Sequence, residues 1–194
     1  AAVTITLAIG VGRMAKRNAL IRKLPAVETL GSTTVICSDK TGTLTQNQMT
    51  VRAIWAGGRT YSVSGGGYDL EGEFQRGGET LDPAGEPALI ECLRAGLLCN
   101  DSQLVRRDER WQVEGDPTEA ALLVSAHKGG LDRDAHERDH PRLDVIPFES
   151  EHMFMATLHD SPGGPAIFKK GSLERILDRC ADALGADGKP GPLD

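Results

Sequence analysis

Thr33-Thr34-Val35-Ile36-Cys37-Ser38-Asp39-Lys40-Thr41-Gly42-Thr43-Leu44-Thr45 is the stretch on which the reading of this chain turns. Residues 33–38 are short, β-branched and apolar, the pattern of a buried strand. They run into a carboxylate, a lysine, a glycine and three threonine hydroxyls. Reactive groups of open α/β sheets gather at the carboxyl ends of strands, which is where Asp39 is expected. A carboxylate so placed can attack phosphorus in line and become an aspartyl-phosphate. Gly42 supplies the positive φ of a tight loop, while the hydroxyls and loop N–H groups can hold phosphate oxygens. An Asx turn closing a strand would explain Asp-x-Thr-Gly alone, but it does not explain all seven residues from Asp39 to Thr45.

Upstream, residues 1–12 are uncharged and apolar, followed by Arg13, Lys16, Arg17, Arg22 and Lys23. The run is shorter than the ~20 apolar residues that cross a bilayer. With its basic flank it reads as the end of a membrane helix entering the cytoplasm. A rival reading takes Gly10-Val11-Gly12-Arg13-Met14-Ala15 as a G-x-G-x-x-A dinucleotide fingerprint with Glu28 as the ribose acid. That needs a helix after the glycines and a second strand ending at the acid, and Pro25 stands just before Ala26-Val27-Glu28.

The chain has 194 residues and a net charge of −6, which argues against a general nucleic-acid partner. The charge is uneven: residues 1–59 carry 8 Lys/Arg against 2 Asp/Glu, and residues 60–194 carry 14 against 26. With 23 Gly and 10 Pro it is rich in loops, yet no collagen-like or Ser-rich repeat runs through it. Cys37, Cys92, Cys99 and Cys180 are scattered without a C-x-x-C pair and read as reduced thiols.

In the acidic part, the glycines between 57 and 78 punctuate a hairpin region with short strands at 61–63 and 70–74. Residues 87–98 show apolar spacing of a helix ending at Cys99-Asn100-Asp101. Asp116-Pro117-Thr118-Glu119 is a helix start, with Asp116 as cap, Pro117 in the first position and Glu119 placed for a capping box. Residues 143–150 read as a strand, 166–171 as another, and 172–183 as a helix with Leu173, Ile176, Leu177 and Cys180 on one face. His136-Glu137-Arg138-Asp139-His140 satisfies H-E-x-x-H. It lacks an apolar stripe and runs into Pro141, so a solvated charged loop is the expectation rather than a zinc site.

The run Asp39–Thr45 matches in full the phosphorylation motif of P-type ATPases, and the sequence resembles the type II cation pumps of that family over nearly all its length. Residues 13–20 and 24–31 resemble the stalk below a membrane helix, and 46–50 the exit toward a nucleotide-binding domain. The fold this implies is α+β: an antiparallel sheet with flanking helices, preceded by the first strand of an α/β haloacid-dehalogenase-like phosphorylation domain. Its divisions would be 1–12 (end of a membrane helix), 13–32 (stalk), 33–51 (first strand and phosphorylation loop) and 52–194 (nucleotide-binding domain, lacking its last part).

By the same resemblance Asp39 is phosphorylated by ATP, with Lys40 and Thr41 beside it. The Asp39 carboxylate and the Thr41 carbonyl would hold Mg²⁺. Glu119 would accept from the adenine amino group, Phe148 would stack on adenine, and Lys170-Gly171 would line the pocket toward the phosphates. ATP and a transported cation are the implied partners, in a multi-pass membrane protein whose present region faces the cytoplasm. Soluble phosphatases of the same superfamily usually carry a second Asp where Thr41 stands. A threonine cannot activate water as that acid does, which favours a pump that keeps its phosphoenzyme. His152 and Met153 stand where the pumps often have Arg and Lys, and Lys169 where an apolar residue is commoner, so modest nucleotide affinity without turnover is expected of this piece.

Overall fold

The computed structural model describes residues 2–23, 25–40, 42–45, 47–108 and 110–193. The chain divides into two compact units, residues 1–46 and 47–194.

The first unit holds helix α1 (Ala2–Ala15) and helix α2 (Pro25–Gly31). No helix among the described residues is long and apolar enough to cross a membrane. Gly10 and Gly12 lie inside α1, so they form no strand-to-helix turn and the dinucleotide reading has no structural basis. The expected strand at 33–38 is not formed: these residues have no regular secondary structure and are exposed, Val35 at 72% and Ile36 at 82%. A strand's hydrogen bonds belong to its neighbours, and among the described residues none lies beside this one.

The second unit is α+β with antiparallel sheets, as expected. Strands β1 (Ala53–Ala56), β2 (Arg59–Val63), β3 (Phe74–Arg76) and β4 (Glu79–Leu81) form a meander in that order. Gly57 and Gly58, both at positive φ, make the two-residue turn between β1 and β2. Helix α3 (Pro87–Leu98) begins at a proline, whose missing N–H costs nothing there. It lays Leu89, Leu93 and Leu97, one helical face, against Tyr61, Val63 and Phe74 of the meander and Leu123 and Ala126 of helix α4 (Pro117–Lys128). This is the core. Between the helices stands the hairpin of β5 (Gln103–Arg107) and β6 (Arg110–Glu114).

Helix α5 (Arg133–Asp139) carries the first four of the H-E-x-x-H residues, with His140 as its C-cap, and corrects the expected loop. Asp132 caps it by accepting from the Ala135 N–H at 2.7 Å, and it stops one residue before the one preceding Pro141. The His136 ring bonds back to the Asp132 carbonyl and the His140 ring to the Ser161 hydroxyl. Among the described residues no three His, Cys, Asp or Glu side chains converge as a metal site would need.

Strands β7 (Arg142–Glu149), β8 (Phe154–Ser161) and β9 (Gly164–Gly171) form the second sheet, β8 in the centre. Helix α6 spans only Leu173–Leu177, shorter than the expected 172–183, because the following residues pair instead as β10 (Asp182–Leu184) and β11 (Pro190–Pro192). Leu173 and Leu177 remain exposed, so the apolar stripe had too little to pack on to extend the helix. The expected strand at 70–74 is likewise cut to Phe74, the only one of those residues in β3.

Candidate functional site

Three separated segments of the second unit meet at one cleft of about 580 Å³, lined by Asp116, Thr118, Glu119, Leu122, Phe148, Lys170 and Gly171. Each reaches it for a local reason. Asp116 is the N-cap of α4, accepting from the N–H groups of Thr118 at 2.8 Å and Glu119 at 3.2 Å. Burial pushes its carboxyl up, but these N–H donors, with the Thr118 hydroxyl and the Lys170 charge, outweigh that and hold it below the usual carboxylate range. The first turn of the helix thereby presents Thr118, Glu119 and, one turn on, Leu122.

Phe148 arrives through irregularity. The pairing of β7 with β8 shifts register between Ile146 and Glu149, and Pro147, which has no N–H to donate, sits in that break. Phe148 is left 58% exposed, its ring lining the cleft. Lys170 and Gly171 end β9. A Cβ at position 171 would lie 2.5 Å from the Met153 carbonyl oxygen and 2.7 Å from the Phe154 Cβ, so glycine lets β9 close against the β7–β8 turn. Met153 in that turn is itself left-handed, at φ 55°.

The charges within the cleft are paired. Lys170 Nζ donates to Glu119 Oε1 at 2.5 Å, with both side chains mostly buried. Among the described residues no bond runs from the Asp116 N–H to Glu119, so the capping box is only half made: Asp116 caps, and Glu119 turns Oε1 to the cleft, where it holds Lys170. The turn between β7 and β8 has a different character. His152 lies 3.5 Å from the Glu149 carboxylate, and the Lys169 ammonium sits 4.1 Å from the Phe154 ring centroid.

Of the residues singled out from the sequence, Glu119, Phe148, Lys170 and Gly171 come together here. Asp39 and Lys40 belong to the first unit. Asp39 is exposed, and the Lys40 carbonyl accepts from the Leu44 and Thr45 N–H groups at 3.0 and 3.1 Å, closing a loop in which Gly42 takes φ 75°. Thr41 lies outside the described residues. Asp116, Thr118 and Leu122 were not singled out as site residues, although their spacing on a proline-started helix carries the signal.

An α+β module whose capped helix, aromatic bulge and Lys-Gly strand end enclose one cleft defines a class. Residues 88–194 match the family model of the P-type ATPase cytoplasmic domain N, and the chain belongs to that family. It is 59% identical, over its whole length and 22% of the relative's, to the cation-transporting ATPase pma1 of Synechocystis. It is 41% identical to a calcium-transporting ATPase of Bacillus subtilis over 92% of this chain and 20% of that one. The human calcium-transporting ATPase type 2C member 1 is 42% identical over 92% of this chain and 19% of its own. The chain thus spans about a fifth of the length of these curated relatives.

Proposed function

We propose that this chain is the ATP-binding and phosphoryl-accepting region of a cation-transporting P-type ATPase, a membrane protein in which this region faces the cytoplasm. Adenine enters the cleft with one face on Phe148 and its amino group toward Glu119 Oε1, while Lys170 and Gly171 flank it on the side leading to the phosphates. The observation that carries this reading is the convergence of Glu119, Phe148, Lys170 and Gly171 on one cleft from segments far apart in sequence. Stacking of a base on an aromatic contributes about 1–3 kcal/mol, and the exposed Phe148 face is available for it. His152 paired with Glu149, and Met153 where a cation is common, leave the phosphate side with little positive charge, which supports modest affinity.

Asp39 accepts the γ-phosphoryl group: a carboxylate oxygen bonds to phosphorus, the bond to the β–γ bridging oxygen breaks, and ADP leaves. The exposed carboxylate at a glycine-bearing loop fits Mg²⁺, which is held by one or two carboxylates together with substrate phosphate. Asp39, with the Thr41 carbonyl, would hold it, and the metal supplies charge neutralisation at the transferring group. Thr41, lacking an acid function, does not activate water, so the acyl phosphate persists while the cation moves.

Titration of the chain with ATP, ADP, AMP and NADH, followed by amide shifts, tests the binding half. The adenine nucleotides should move the resonances of Glu119, Phe148, Lys170 and Gly171. Absence of shifts there at millimolar ATP refutes the cleft assignment.

A further inference from the structure

The Glu119 carboxylate is held by more than the cleft requires. Its Oε2 accepts from the Asp101 N–H at 3.1 Å, the Ser102 N–H at 3.0 Å and the Ser102 hydroxyl at 2.9 Å. The hydroxyl has one proton, and the carboxylate is a nearer and stronger acceptor than the Asp116 carbonyl at 3.3 Å. Asn100, fully buried, fastens the same turn to the helix. Its Nδ2 donates to the carbonyls of Gly96 and Glu119, and its Oδ1 accepts from the Ser102 N–H. From outside, Arg142 bonds the Asp101 carboxylate and the Asn100 carbonyl, each at 2.6 Å. Ser102 is itself fully buried, and the room for it comes from Gly115. A Cβ there would lie 2.2 Å from Ser102 Oγ, and φ is 129°. The Asp101 N–H, the Ser102 hydroxyl and the Ser102 N–H, the last shared with Asn100 Oδ1, fix the plane of the carboxylate and leave Oε1 as the oxygen toward the cleft, where Lys170 sits.

We propose that Ser102, seated by Gly115 and Asn100, is a positioning residue that aims Glu119 Oε1 at the exocyclic amino group of the base, and that the amino group takes the place of the Lys170 ammonium on that oxygen when nucleotide enters. Ser102 therefore acts on selectivity for a 6-amino purine, not on purine binding in general. The inference rests on the adenine reading of the cleft.

The test compares ATP with inosine triphosphate, which carries a 6-oxo group, on the 194-residue chain and on Ser102→Ala, Glu119→Gln and the double variant. The chain should prefer ATP. Ser102→Ala should reduce that preference about tenfold, as loss of a hydrogen bond to a charged group does, with affinity for inosine triphosphate nearly unchanged. Glu119→Gln should reduce it similarly, and in the double variant Ser102→Ala should add nothing. A Ser102→Ala chain that weakens both nucleotides equally, or keeps the full preference, overturns the positioning role while leaving the adenine reading intact. A parent chain without preference overturns both. Should Ser102→Ala not fold, the amide protons of Asp101 and Ser102 decide. Glu119→Gln should move both upfield, whereas ATP added to the parent chain should leave them in place and shift Lys170. Amides that ignore Glu119→Gln, or that move with ATP, refute the proposal.

Discussion

The two units put their apolar residues to opposite use. In the second, Leu89, Tyr61 and Phe74 are at most 1% exposed, gathered from a helix and a meander into one core. In the first, Val35, Ile36 and Leu44 are each more than 70% exposed, on a segment that carries the most specific seven residues of the chain. The difference teaches that a chemical motif and a folding unit are separate things. The loop after Asp39 closes on itself through Lys40 and Gly42 because its hydrogen bonds are local. The strand before it cannot form alone because its hydrogen bonds are not.

The largest effect that would sharpen this contrast lies in the intact polypeptide. Asp39→Asn should abolish the alkali-labile phosphoenzyme formed from radiolabelled ATP while leaving nucleotide binding by the second unit unchanged, and a phosphoenzyme that persists removes Asp39 from its role. Next comes stability. Leu89→Ala should cost about 2–5 kcal/mol in urea unfolding, whereas Ile36→Ala should stay within about 0.5 kcal/mol. Equal losses would break the contrast.

Phe148→Ala should weaken ATP by about 1–3 kcal/mol in calorimetric titration and barely move the unfolding midpoint, since the ring is largely exposed. The smallest effect concerns Asp116. Its carboxyl is held below the ordinary value, so its contribution to stability is full above the unfolded-state pKa and fades as pH falls through the lower, folded one. Asp116→Ala should cost about 0.5–2 kcal/mol at neutral pH. Asp116→Asn keeps the cap, and should flatten the loss of stability below about pH 4.

Much of the second unit was legible because its signals are local. Pro87 and the Asp116-Pro117 pair mark two helix starts to the residue, and the glycines at 57 and 58 mark a turn. The four cleft residues were legible one by one through resemblance. What escaped depends on contacts distant in sequence. Helix α6 stops early because residues 182–184 find partners at 190–192. Residues 136–139 are helical because Asp132 caps the helix, although no apolar stripe marks it. By its place in the sequence Glu119 suits both a capping box and a ligand contact. It makes no capping box, because Ser102 and Asp101, brought close by the absence of a side chain at Gly115, claim its second oxygen.

The central claim is that the cleft of the second unit takes adenine. Its most direct test is AMP binding by the 194-residue chain, read from amide shifts, since AMP carries the base without the triphosphate. The account predicts shifts confined to 116–122, 148 and 170–171, reduced at least several-fold by Phe148→Ala. Shifts that fall elsewhere, or that survive Phe148→Ala at undiminished affinity, would contradict it.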